Sequence, residues 1–257
     1  MAVAVVGPDG VIDQRGPADE RRPFASVTKL FSALALHVAT EEGTVGLADP
    51  AGPAGSTLAH LLAHASGVAP DDPGLVLAPP GTRRIYANAG YELAAAHLER
   101  ASGVAFADYL AEGVLGPLGT RGVRLEGSPA AGATGTLGDL ELLGVELLAP
   151  RLLHPETARR LSAVAFPGIA GVVPGFGRFA PCDWGLGPEI ADGKAPHWTG
   201  TRRSPASFGH FGQSGSFVLV EPEIGVALCV LCEVPFGPWA TATWPVFVDA
   251  VLAELGA

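Results

Sequence analysis

Strand-like patterning sits at both ends of this 257-residue chain and almost nowhere between them. Residues 2–6 and 10–14 alternate around the turn GPDG, which predicts a hairpin. Residues 184–190, 216–220 and 226–232 also read as strands, and EPEIG between the last two predicts a second hairpin. The intervening residues carry a helical period instead, over 26–42 (stopped by Gly43), 57–64, 90–102, 105–113, 137–148 and 155–164, and a helix over 240–255 closes the chain. Strands must lie side by side to pair, so the two termini must meet. The expected fold is therefore α/β in the α+β sense. An antiparallel sheet built from both chain termini is flanked by the first and last helices, with a mainly helical insertion. The sheet lobe would span about 1–44 and 171–257 and the helical lobe about 45–170, within one domain of 1–257. A cleft between two such lobes is where a site is expected.

Composition narrows the function. Apolar residues make up 48% of the chain and charged ones 16%, which suits a packed core. The net charge of −10 argues against nucleic acid and anionic membrane surfaces as partners. No stretch is long and apolar enough to span a bilayer, and MAVAVVGPDG reads as strand and turn rather than as a signal peptide, so a cytoplasmic location is expected. Three cysteines without framework spacing fit free thiols. Cys229 and Cys232 form a C-x-x-C within a predicted strand, where they should face opposite ways.

FASVTKLFSALALH, residues 24–37, places Ser26 at the start of an apolar helix and Lys29 three residues on. Residues three apart share a helix face. A lysine held among apolar side chains loses stability as an ammonium and can accept a proton. The unpaired N–H groups of a first turn favour an oxyanion. A serine hydroxyl needs such a base to become a nucleophile. Ser26 as an N-cap and Lys29 as a solvated charge is the competing reading.

Two further stretches bear on that choice: Tyr86-Ala87-Asn88 in RRIYANAGYE, and His210-Phe211-Gly212 in FGHFGQSGSF, just before a strand. S-x-x-K, Y-x-N and H-x-G in this order resemble the penicillin-recognising serine hydrolases, a superfamily of DD-peptidases, class C β-lactamases and β-lactamase-like esterases, in which S-x-x-K is accompanied by S-D-N and K-T-G. The tyrosine form is similar to the class C and esterase branch. TLAHLLAHASGV, PPGTRRIYANAGYELAA and WGLG resemble further segments of that branch.

The resemblance implies an acyl-enzyme on Ser26, with Lys29 taking or relaying its proton and Tyr86 completing the acid–base pair. Asn88 would bind Lys29 and the acyl side chain of the substrate. His210, where the family usually has lysine, would position a carboxylate or the leaving group. The backbone N–H groups of Ser26 and of Gln213, next to Gly212, would form the oxyanion hole. No cofactor and no metal is implied. The substrate would be a small ester, amide or peptide; the shift from lysine to histidine and the short chain favour an esterase, amidase or small peptidase. A transacylase using the same acyl-enzyme, and a non-catalytic ligand-binding module, are the alternatives. Elsewhere, His60 and His64 share a helix face without a third ligand and read as hydrogen-bonding residues, Arg83–Arg84 as a surface pair, His197 as a loop residue, and Trp184, Trp198 and Trp239 as core or pocket wall.

Overall fold

The computed structural model describes residues 1–256. Strands β1 (Ala2–Gly7) and β2 (Gly10–Arg15) form the first hairpin, and β3 (Arg22–Pro23) leads into helix α1 (Thr28–Glu41). Helices α2 (Leu58–Leu62), α3 (Asn88–Ser102) and α4 (Phe106–Leu110) follow, with a π turn over Ala111–Leu115 and the short α5 (Gly116–Leu118). Then come β4 (Arg124–Leu125), β5 (Ala133–Gly135), α6 (Leu137–Leu148) and α7 (Pro155–Leu161). Strands β6 (Gly171–Val173), β7 (Gly177–Phe179), β8 (Glu189–Ile190), β9 (Phe208–Phe211), β10 (Phe217–Glu221) and β11 (Val226–Leu231) precede the closing helix α8 (Pro238–Glu254).

The main sheet has the order β2-β1-β11-β10-β9-β8 and is antiparallel throughout. Its middle joins the two ends of the chain: β1 pairs with β11 from Ala2 opposite Leu231 to Val6 opposite Ala227. The central strands are covered on both faces, so their residues are apolar without a break. Alternation sorts them. Ala4, Val6, Val218, Val220, Ala227, Cys229 and Leu231 join the core shared with α1 and α6. Val5, Phe217, Leu219, Leu228 and Val230 join Trp244, Val248 and Leu252 of α8 on the other face. Burying each such aliphatic side chain contributes about 1.5–3 kcal/mol. Helix α6 packs on β1, β10 and β11; it lies within the 45–170 stretch that the sequence groups with the helical lobe.

Helix α1 runs through the middle of the molecule, and eleven of its fourteen residues are buried. Three of its buried polar side chains reach other segments: Thr28 Oγ1 accepts from Ala133 N (3.0 Å), Ser32 Oγ donates to Pro129 O (2.6 Å), and His37 Nε2 donates to Leu186 O (2.9 Å). A small second sheet, β3-β5-β4, holds the 129–135 loop beside the start of α1.

Three sequence expectations change here. The stretch 184–190 is not a continuous strand: only β8 is paired, and Trp184 bridges to Glu189 around a tight turn. Gly185 passes Leu161 O so closely that a Cβ would lie 2.2 Å from it, and Gly187 takes φ +147°. Strand β9, which supplies His210, is too short and glycine-rich to be read as a strand. Arg84 is not at the surface but 2% exposed, while Arg83 is exposed. Cys229 faces α6 through a contact with Leu140 O (3.2 Å), and Cys232 lies beyond the end of β11, against the Ser216 hydroxyl and Gly215. Among the described residues, no helix is long and apolar enough to cross a membrane.

Candidate active site

Ser26 does not cap α1. It lies in a single 3-10 turn, Ala25–Val27, and neither this turn nor α1 has a side-chain cap. Ala25, just before it, is held at φ +46°, a conformation that disfavours any residue with a Cβ. The strain is sustained from two sides. Phe24 N donates to Ala133 O (2.8 Å), and the chain leaving β9 presses against the turn at Gly212. A Cβ at Gly212 would stand 2.3 Å from Phe24 O and 3.2 Å from the Ala25 Cβ. Gly212→Ala is therefore expected to lower stability by about 1–3 kcal/mol, the usual range for overpacking, and to slow any reaction at Ser26. Urea midpoints and rates measured on the same preparation check both.

Lys29, the second residue of α1, is fully buried, with Nζ 3.2 Å from Ser26 Oγ. It also contacts Asn88 Oδ1 (2.7 Å) and Ala130 O (2.9 Å), both acceptors. A neutral amine has two hydrogens and one lone pair. The two shorter contacts take the hydrogens, which leaves the lone pair facing the Ser26 hydroxyl. Burial drives the Lys29 pKa down to about 7, against the opposing pull of Asp71 and Glu92, so this neutral form is accessible near neutrality.

Tyr86 and Asn88 arrive on the segment leading into α3, and His64 holds that segment at two points. Its carbonyl accepts from Ile85 N (2.9 Å), and its Nδ1 accepts from Ala87 N (3.1 Å). The ring packs 4.5 Å from that of Tyr86 and 5.1 Å from Trp184. Asn88 Nδ2 donates to Asp71 Oδ1 (2.9 Å), which fixes the amide so that its oxygen must face Lys29. Burial pushes the Tyr86 phenol well above its ordinary pKa, although a hydrogen bond with Ser26 opposes the shift. The phenol is therefore neutral across the working pH range, while Lys29 Nζ stands 4.8 Å from its ring centre.

His210 comes from the end of β9. It is buried, and its ring stands 5.8 Å from Tyr86 and 5.7 Å from Trp184. Nδ1 donates to Phe211 O (2.7 Å), and burial, then the Lys29 charge, lowers the imidazole pKa to about 3. In that neutral form the ring offers a carboxylate no charge. A cavity of about 60 Å³ is lined by Ser26, Tyr86, Pro174, Trp184, His210, Phe211 and Gln213. The backbone N–H groups of Ser26 and Gln213 make no hydrogen bond within the described residues. Two larger grooves, by α6 and α7, touch none of these residues.

All seven sequence candidates, Ser26, Lys29, Tyr86, Asn88, His210, Gly212 and Gln213, thus gather at one place. Sequence reasoning missed Asp71 and the Ala130 carbonyl, and read His64 as a hydrogen-bonding residue without identifying the segment it holds. Only His64 left a trace, as a histidine on a short helix aligned with His60. His60 itself bonds to Thr57 Oγ1 (2.8 Å) and stacks on Phe166 (4.2 Å). His197 is no loose loop residue: its Nε2 lies 3.0 Å from Glu189 Oε1 in a buried cluster with Lys194 and Trp198.

The sequence matches the Beta-lactamase family over residues 1–252. This chain belongs to the beta-lactamase family. A crystal structure of a beta-lactamase from Mycobacterium bovis is 47% identical, with a TM-score of 0.97 over 100% of this chain and 95% of that one. A simvastatin synthase variant from Aspergillus terreus shares the fold at 18% identity and a TM-score of 0.77, covering 99% of this chain and 90% of that one. EstCE1, described as a hydrolase with promiscuous acyltransferase activity, does so at 17% identity and 0.78, covering 97% and 92%. No protein of curated function matches significantly. Solved structures of this shape thus include proteins described as a beta-lactamase, a simvastatin synthase and a hydrolase with promiscuous acyltransferase activity.

Proposed function

We propose that this beta-lactamase family member is a serine hydrolase that cleaves a small ester or amide through an acyl-enzyme on Ser26. The observation that carries the reading is the Lys29 amine. It is 3.2 Å from Ser26 Oγ, stripped of solvent, and has both hydrogens committed to Asn88 and Ala130. Lys29 takes the Ser26 proton as Oγ attacks the substrate carbonyl. The new oxyanion is met by the N–H groups of Ser26 and Gln213. Tyr86, held as a neutral phenol, then gives its proton to the departing alcohol or amine and recovers one from the Lys29 ammonium. Water, entering next, releases the acid and restores the enzyme. An alcohol in its place would make the same intermediate a transacylation. A purely binding role is disfavoured because the parts that only turnover requires are all present and mutually bonded.

The test is covalent labelling. A fluorophosphonate should add one equivalent to the native protein by intact mass, and peptide mapping should locate it on Ser26. A folded protein that takes no label, or takes it elsewhere, rejects the reading. Tyr86→Phe should label at a rate lowered by about 100-fold, the usual scale for an acid–base group, measured by the time course of the same reaction.

A further inference from the structure

The cavity beside Ser26 has a wall that the acyl-enzyme chemistry does not use. His210 Nε2 is buried and has no hydrogen-bond partner among the described residues. Its chemical identity follows from the other nitrogen. Nδ1 faces the Phe211 carbonyl at 2.7 Å and so carries a hydrogen; in the neutral ring, the form that burial favours, Nε2 is then a lone pair at the far end. The other polar atoms near it are committed. Trp184 Nε1 donates to Gly187 O (3.1 Å), and Gln213 Nε2 donates to Phe236 O (3.2 Å). His64, on the other side of Tyr86, has the opposite tautomer, since its Nδ1 accepts from Ala87 N, and it does not line the cavity. A buried acceptor without a partner is unfavourable, and a ligand that donates to it removes that penalty.

The electrostatics of the cavity point the same way. None of its lining residues carries a permanent charge. Of the charges behind it, Asp71 and Glu92 act on Lys29, and Glu189, which acts on both Tyr86 and His210, is itself ion-paired with Lys194 at 3.3 Å. Lys29 itself has a pKa near 7 and opposes charge on His210 rather than inviting it. A carboxylate placed against His210 would meet a lone pair, with no donor to accept from. A hydroxyl or amide N–H placed there would meet a waiting acceptor.

We propose that His210 is a specificity-determining residue that selects substrates presenting an uncharged hydrogen-bond donor, an alcohol O–H or an amide N–H, next to the scissile carbonyl, and turns away those with a carboxylate there. The inference rests on Ser26 being the acylated residue. It assigns the substrate class as neutral hydroxylated or amide-bearing esters rather than anionic ones.

The experiment compares two aryl acetates that deliver the same acetyl group, 3-acetoxybenzamide and 3-acetoxybenzoate, by kcat/KM for phenol release. The wild type should favour the benzamide by about tenfold or more, equivalent to roughly 1.4 kcal/mol. His210→Lys should shift the ratio towards the benzoate by at least about the same factor. His210→Phe, which removes the acceptor without adding charge, should lose the preference for the benzamide over phenyl acetate. Equal rates on both substrates in the wild type, a preference for the benzoate, or turnover of phenyl acetate with neither of the pair accepted would each overturn the proposal. The wild-type ratio stands even where a variant does not fold. Failure of the underlying reading looks different: Ser26 would not take the fluorophosphonate at all.

Discussion

Lys29→Met lowers the rate of Ser26 acylation by about 10³–10⁴-fold, the upper part of the range for a general base, while leaving the fold intact. Methionine fills the same buried volume without a charge. The rate loss should appear in kcat/KM for a simple aryl ester and in the fluorophosphonate time course alike, because both need the Ser26 proton removed. In the wild type, the same base makes the acid limb of the pH–rate profile a single ionisation near 7, with the rate rising as pH rises, since only the neutral amine has a lone pair for Ser26. Tyr86 adds no opposing limb below its own, raised ionisation.

The same residue gives a stability signature with a definite sign. Between about pH 7 and 10.5 the unfolded chain keeps the Lys29 proton and the folded chain has lost it. The unfolded state binds more protons, so wild-type stability rises with pH across that window relative to Lys29→Met, by up to about 1.4 kcal/mol per pH unit. Below pH 7 the penalty of burying the ammonium is present in full and the difference is flat. Urea denaturation of both proteins at pH 6, 7, 8 and 9 measures it. A difference that stays constant over that range would mean Lys29 keeps its charge when folded, and the base assignment would go with it.

Much of this site is written locally. Ser26 and Lys29 are one helical turn apart, and a turn is set by short-range geometry that a sequence displays. The sheet from both termini is legible for a similar reason: strands buried on two faces need unbroken apolar runs, and β1, β10 and β11 have them. What escapes is whatever depends on a partner far along the chain. Asp71 sits in an exposed loop of prolines and acids and matters only because it meets Asn88, seventeen residues on, and fixes an amide. The charge state of His210 depends on how deeply β9 is covered and on which nitrogen finds Phe211 O. The segment 184–190 alternates like a strand, but two glycines at close approaches fold it into a turn.

Arg84 is the sharpest case of that non-locality, and its replacement carries the second large effect. An arginine beside another arginine is ordinarily a surface residue. Here its guanidinium is closed in at 2% exposure and donates to the carbonyls of Ala63, Ala165, Phe166 and Cys182. These acceptors come from α2's C-terminal end, from the loop after α7 and from the loop before β8. Burial lowers its pKa to about 10, with Cys182 and Asp183 pulling upward, so it remains charged at neutrality. Arg84→Met leaves the carbonyls without donors in a closed space, and should reduce stability by about 3–5 kcal/mol, as breaking a buried charged network does. For a chain of this size that is a fall in Tm of about 6–10 °C. Arg84→Lys separates geometry from charge: a single ammonium cannot reach four carbonyls from three segments, so it should recover less than half of the loss. Because Tyr86 follows two residues later on the same backbone, the lysine variant should also acylate more slowly, with the ionisation near pH 7 unmoved. An acid limb displaced in Arg84→Lys would instead make Arg84 an electrostatic partner of the acid–base pair, and its role as a purely structural tie between the three segments would fall.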